Sequence, residues 1–208
     1  MRGSSRWPVT LTCGDLVLRP IRYRDQRQWD EVRRRNAAWL TPWEATNPAP
    51  GGYLPTFTEL VRYLNQQARA GVALPFVITE RLPGHGKPVL IGQLTVSTIV
   101  WGSAMTATLG YWVDRNRAGR GVAPTAVALA TDHCFNSLGL HRMEVNIRPD
   151  NSASLRVVEK LGFRDEGMRR NYLHINGSWA DHRSFALTSE EVPPGGLLNR
   201  WLTTGPVQ

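Results

Sequence analysis

No apolar run in this 208-residue chain reaches the roughly 18 residues that span a bilayer, and the N-terminus has no apolar stretch of signal-peptide type. A cytoplasmic protein with no membrane partner is expected. Cysteine is nearly missing: Cys13 and Cys134 stand alone, without CxxC or metal-ligand spacing, which excludes a disulfide scaffold and fits a reducing compartment. The five histidines have no metal spacing either, so no metal site is expected. Asp181-His182 has no serine or cysteine nucleophile motif beside it, and Asp181 reads as a structural or substrate-positioning residue. Lysine is scarce too, limited to Lys87 and Lys160, so the formal charge of +8 is carried by arginine scattered without basic tracts. Such a surface favours anionic partners and is a poor attractor for polycations. There is no repeat and no low-complexity tract.

With 41% hydrophobic and 20% charged residues, the chain can bury one core. Residues 1–189 read as one domain and 190–208 as a Pro/Gly-rich tail in which Leu197, Leu198 and Trp201 are the residues able to dock back. Leu11 to Ile21 reads as a strand ended by Pro20. Asp25 is a candidate cap for a helix bearing Trp29, Val32 and Leu40, followed by a long tryptophan- and proline-rich loop from Trp39 to Pro55. Thr56 and Glu59 form a capping box before a helix with Phe57, Leu60, Val61 and Leu64 on one face. Strands follow at Pro75–Thr79, Val89–Val100 and Ala107–Val113, then a glycine turn and an apolar helix from Pro124 to Phe135. Met143–Ile147 alternates as a strand, Ser152–Leu161 reads as a helix closed by Gly162, and Asn176-Gly177 is a type I′ hairpin signal between two last strands. The predicted order is β-α-α-β-β-β-α-β-α-β-β.

The turn Arg117-Ala118-Gly119-Arg120-Gly121-Val122-Ala123 lies between a strand and a helix. It directs main-chain N–H groups and a helix dipole at an anion such as a pyrophosphate. After the next strand come Arg148-Pro149-Asp150-Asn151-Ser152-Ala153-Ser154 and Lys160-Leu161-Gly162-Phe163. Asn151 also suits a helix N-cap, and Gly162 a helix-terminating residue.

Together these segments resemble the GNAT acetyltransferases. Their acetyl-coenzyme A motif reads Gln or Arg, two residues, Gly, one residue, then Gly or Ala. Gly121 and Ala123 match, Ala118 replaces the usual Gln or Arg, and Arg117 and Arg120 flank it. Asp165-Glu166-Gly167, Tyr172-Leu173 and Gly177-Ser178-Trp179-Ala180-Asp181-His182 further resemble the RimJ/RimL group, which acetylates N-terminal alanine or serine of ribosomal proteins. The resemblance implies an α/β GNAT fold: a mixed, mostly antiparallel sheet of about seven strands flanked by about four helices. It also implies acetyl-CoA as donor, no metal, direct attack by an amine, and an acceptor protein N-terminus, with ribosomal RNA contact and a monomer or homodimer both open. A small-molecule amine acceptor and a silent acyl-CoA-binding module are the alternative readings.

By the same resemblance, the backbone of Tyr111, Trp112 and Val113 pairs with the pantetheine arm. Ala118, Gly119, Arg120, Gly121, Val122 and Ala123 hold the pyrophosphate with Arg115 or Arg117, and Asn151 meets the pantetheine. Many relatives place a tyrosine acid where this chain has Val158, so Ser154 or Tyr172 is the candidate donor to the leaving sulfur. Some carry a glutamate base where this chain has Asn146, leaving Glu144 and Glu44 as candidates. An α-amine with a pKa of ~7.7–8.0 needs less basic help than a lysine at ~10.4.

Overall fold

The computed structural model describes residues 7–49 and 55–204. Its strands are β1 (Leu11–Cys13), β2 (Leu16–Pro20), β3 (Leu74–Glu80), β4 (Val89–Val100), β5 (Thr106–Val113), β6 (Arg142–Ile147), β7 (Arg164–Ile175) and β8 (Ser178–Thr188). They form one sheet in the order β1-β2-β3-β4-β5-β6-β8-β7, antiparallel except where β5 meets β6. The helices are α1 (Gln26–Arg35), α2 (Ala37–Leu40), α3 (Phe57–Arg69), α4 (Val122–Asn136), α5 (Ser152–Lys160) and α6 (Gly196–Thr204). This is the expected mixed α/β architecture with one strand and two helices more. The extra strand arises because Gly14, at φ +53°, turns the first predicted strand back on itself and pairs Cys13 with Leu16. No helix among the described residues is long and apolar enough to cross a membrane.

The sheet is covered on both faces, and its alternation shows how. Leu18, Phe76, Ile78 and Leu94 enter the main core with α4, α5 and α6, while Val77 and Leu90 enter a second cluster with Val32 of α1 and Val61 and Leu64 of α3. Side chains one residue apart on a strand point to opposite faces, so β3, buried almost throughout, serves both layers. Thr56 and Glu59 cap α3 reciprocally, with Glu59 N–H donating to Thr56 Oγ1 at 3.3 Å and Thr56 N–H to Glu59 Oε2 at 2.9 Å. Asp25 makes no cap bond on α1; it accepts two bonds from Arg19, at 2.7 and 2.8 Å, and one from the Arg22 N–H. The stronger charge-assisted donor wins over the helix end. Asn176 and Gly177 both hold positive φ, 46° and 85°, as the hairpin signal requires.

Two segments are more ordered than their composition suggests. The stretch after Ser189 contains α6, whose Leu197 and Trp201 are buried in the main core. The tryptophan loop begins with α2 and a 3-10 turn at Thr41–Trp43, then Ala45 bridges to Ile175 at the end of β7. Its predicted continuation through residues 50–54 lies outside the described residues.

Candidate functional site

The site originates in a defect of the sheet. β5 and β6 pair only from Thr106 to Thr108 with Arg142 to Glu144; beyond that they diverge, leaving Leu109–Val113 and Val145–Ile147 without mutual bonds. Two cavities occupy the divergence. One of about 630 Å³ runs between the ends of β5 and α4 and the flank of α5, and one of about 210 Å³ lies between β5, β6 and β8. Trp43, Ala45, Tyr111, Asn151 and Ser154 line both, so the two open onto one another there.

The larger cavity ends on the glycine turn. Gly119 and Gly121 both sit at φ +77°, and Gly121 is the residue from which α4 springs. Ala118, Gly119, Gly121, Val122 and Ala123 line the cavity, and the first turn of a helix leaves N–H groups without intrahelical partners. Behind the turn, Asp114, 3% exposed, accepts bonds from Arg35, from Asn36 Nδ2 at 3.0 Å and from Asn116 N–H at 3.2 Å, while Asn36 Oδ1 accepts from Arg115 N–H at 2.9 Å. Burial by itself would raise the Asp114 pKa, but these donors outweigh it and hold the carboxyl below the usual range. The clamp fixes the exit of β5 to the α1–α2 junction.

Where the cavities meet, Asn151 caps α5 by accepting the Ser154 N–H at 3.1 Å. Tyr111 presents a buried hydroxyl with no hydrogen-bond partner among the described residues. Burial pushes its pKa up to about 12, with the Ser154 hydroxyl acting in the opposite sense. A phenol that stays protonated at neutral pH, beside a second hydroxyl at an open junction, is equipped to donate a hydrogen bond to a ligand.

The other expected residues divide. Trp112, Val113 and Arg117 line the larger cavity, Arg117 also pairing with Glu80 at 3.0 Å. Arg115 and Arg120 do not line it; the Arg115 guanidinium lies 5.8 Å from the Trp39 ring. Glu44 lines it and is ion-paired to Arg33. Glu144 lines neither cavity and is held by Arg142 at 2.8 Å and Arg169 at 3.3 Å. Tyr172 is likewise outside both, bonded to Arg169 at 3.0 Å. Asp181 accepts the Asn171 N–H at 2.7 Å, bracing an irregularity in β7. Val158 is 1% exposed in the main core, so its position faces away from the cleft. Sequence reading missed Arg33, Arg156, Lys160 and Trp201, all of which line the larger cavity. Ala153, Arg156, Val157 and Lys160 follow the i, i+3, i+4, i+7 spacing of one helix face and were findable from Asn151 onwards. Trp201, far along the chain, had no such signal.

Residues 15–164 match the family model described as "Acetyltransferase (GNAT) domain". The chain is 29% identical over 187 residues to the [ribosomal protein uS5]-alanine N-acetyltransferase of Escherichia coli, covering 90% of this chain and 94% of that one. It is 40% identical to the probable N-acetyltransferase YjcK of Bacillus subtilis, over 102 residues that make up 49% of this chain and 56% of that protein. Among solved structures it is similar to Mycobacterium smegmatis RimJ in complex with CoA-disulfide, with 35% identity, a TM-score of 0.84 and 96% of each chain covered. With the family model matched across most of the chain, over the diverging strands and the glycine turn alike, the protein belongs to the GNAT acetyltransferases and is an acetyl-CoA-dependent N-acetyltransferase.

Proposed function

We propose that the acceptor is the N-terminal α-amine of a ribosomal protein, beginning with alanine or serine. The observation that carries this reading is the lining of the smaller cavity. Leu109, Val145, Ile147, Leu173 and Ile175 give it an apolar wall, and among the described residues no aspartate or glutamate lines it. A polyamine or aminoglycoside carries several positive charges and needs carboxylates around it, whereas a chain terminus brings one amine and a small side chain. The E. coli relative named above, a [ribosomal protein uS5]-alanine N-acetyltransferase, supports the same choice. The overall charge of +8 suits approach to a ribosome, whose RNA is anionic.

Acetyl-CoA fits the larger cavity by the chemistry of its walls. The first turn of α4, Arg117, Arg156 and Lys160 offer N–H donors and positive charge for phosphates, and the Tyr111 hydroxyl at the far end has no hydrogen-bond partner among the described residues. When bound, it supplies a thioester open to direct attack by an amine. The chain's own residues then have these tasks: the free edge of β5 from Tyr111 to Val113 offers main-chain donors, Asn151 holds the start of α5 against the junction, and the Ser154 and Tyr111 hydroxyls donate towards the departing sulfur.

Incubation with acetyl-CoA and peptides beginning with alanine or serine is expected to release free thiol and yield peptides acetylated at the N-terminus by mass spectrometry. Turnover of spermidine with none across the peptide panel would overturn the proposal.

A further inference from the structure

The amine proton needs a destination, and neither glutamate suggested by sequence provides a good one, since Glu44 is committed to Arg33 and Glu144 lies outside both cavities. The acceptor-side cavity does contain a titratable nitrogen. His182, on β8, is 3% exposed and lines it together with Tyr111, Asn146 and Ser154. β8 delivers it there because Ser184, whose Cα pairs with Asn146 and whose hydroxyl donates to Asn146 Oδ1 at 2.6 Å, lies two residues on and shares its face of the sheet. The ring's orientation is set. Nδ1 lies 3.0 Å from the Ala180 carbonyl oxygen, which can only accept, so Nδ1 bears a hydrogen, and in the neutral ring Nε2 holds the lone pair. Tyr172 meets the ring edge-on at 6.0 Å between centroids and limits its rotation.

We propose that His182 is the general base of the transfer, its Nε2 accepting the proton lost by the acceptor amine at the mouth of the smaller cavity. The amine nitrogen forms a bond to the acetyl carbon, the carbon–sulfur bond breaks with its electron pair on sulfur, and sulfur takes a proton from the Ser154 or Tyr111 hydroxyl. The amine proton passes to Nε2, and the imidazolium returns it to the deprotonated hydroxyl, directly or relayed through solvent, so protons balance. The charged and titratable groups around the ring are Arg148 and Asp150 from the segment after β6, Asp181 on its own strand, Arg169 and Tyr172 from β7, and Tyr111 from β5. Burial lowers the His182 pKa below the ordinary histidine value, the bond to Ala180 opposes this, Arg148 lowers it further, and Asp181 and Asp150 pull upwards. The net direction keeps the ring neutral, and so able to accept a proton, at neutral pH.

The assignment rests on this cavity and not on which protein supplies the amine. Nitrogen-15 NMR of the full-length protein is expected to show His182 at pH 7 as the neutral tautomer protonated on Nδ1. A ring protonated on Nε2 at that pH would overturn the proposal without any variant. His182→Gln is expected to lower kcat about 100-fold, to flatten the acid limb of the pH–rate profile and to leave coenzyme A affinity by calorimetry within about 2-fold. Because the side chain is buried, thermal unfolding is followed alongside, and His182→Asn serves as the second variant. A folded variant that retains kcat within about 3-fold and the wild-type pH profile would sink it. If alanine and serine peptides fail and another amine is acetylated, the acceptor reading falls and the same kinetics are run with that amine; if none is acetylated, the NMR result decides.

Discussion

Gly121 holds φ +77° at the start of α4, in a region that side chains with a Cβ reach only under strain. A Cβ there would meet Trp201 Cζ2 at 3.5 Å, ordinary contact, so backbone strain of about 1–3 kcal/mol and not a clash is what a substitution introduces. Gly121→Val is therefore expected to reorient the turn and weaken coenzyme A binding at least ~10-fold, since about 1.4 kcal/mol corresponds to a factor of ten. Ser154→Ala removes a hydroxyl while its N–H remains capped by Asn151, and should change binding by less than ~3-fold while lowering kcat ~10- to 100-fold. Calorimetry against coenzyme A and steady-state kinetics separate the two; similar binding losses would contradict this division. The glycine turn was legible in sequence because φ above zero selects glycine. The location of its cations was not: Arg115 and Arg120 are sequence neighbours that the turn directs elsewhere, whereas Arg156 and Lys160 reach the cavity from α5.

At the scale of elements, α6 departs most from its composition. Prolines and glycines at residues 193–196 suggested a tail, yet the helix that follows packs on α4 and presents Trp201 to the wall of the larger cavity. Its hold on the domain is specific: Asp132 accepts the Leu197 and Leu198 N–H groups at 2.8 and 2.9 Å, and Trp201 Nε1 donates to Thr125 Oγ1 at 2.9 Å. Trp201→Ala is expected to destabilise the fold by about 3–5 kcal/mol and to weaken coenzyme A binding as well. Trp201→Phe, which keeps most of the packing and loses one hydrogen bond, should cost about 1 kcal/mol. Urea denaturation of both variants checks the order. The capping box of α3 and the Asn176-Gly177 turn were readable beforehand because their partners lie within three residues of one another. Docking of α6 depends on Thr125 and Asp132, some 65 to 76 residues away along the chain, and no local pattern announces it.

At the scale of the whole molecule, Asp114 joins layers that sequence keeps far apart: α1 and α2 on one side, the end of β5 and the glycine turn on the other. Its pKa lies below the unfolded value of ~3.9, so its contribution to stability is fully present above that pH and is lost as pH falls through the folded value. Asp114→Asn removes the charge that Arg35 pairs with and is expected to lower stability by about 1.5–3 kcal/mol at pH 7. The gap between variant and wild type should close below about pH 4, as urea midpoints from pH 3 to 7 would show. A gap unchanged at pH 3 would rule out the charge as its source.

Residue order alone specified the family, the glycine turn, the α5 cap and the order of the elements apart from the β1–β2 split, α2 and α6. These depend on local backbone preference and on periodicities of two and 3.6 residues, which are written in consecutive positions. Tertiary structure alone decided that β5 and β6 part after three residue pairs, that Val158 faces the core, that Glu144 is turned away, and that His182 enters the smaller cavity. Each of these depends on the direction of a side chain set by strand register and by partners distant in sequence, and residue order contains no local record of that.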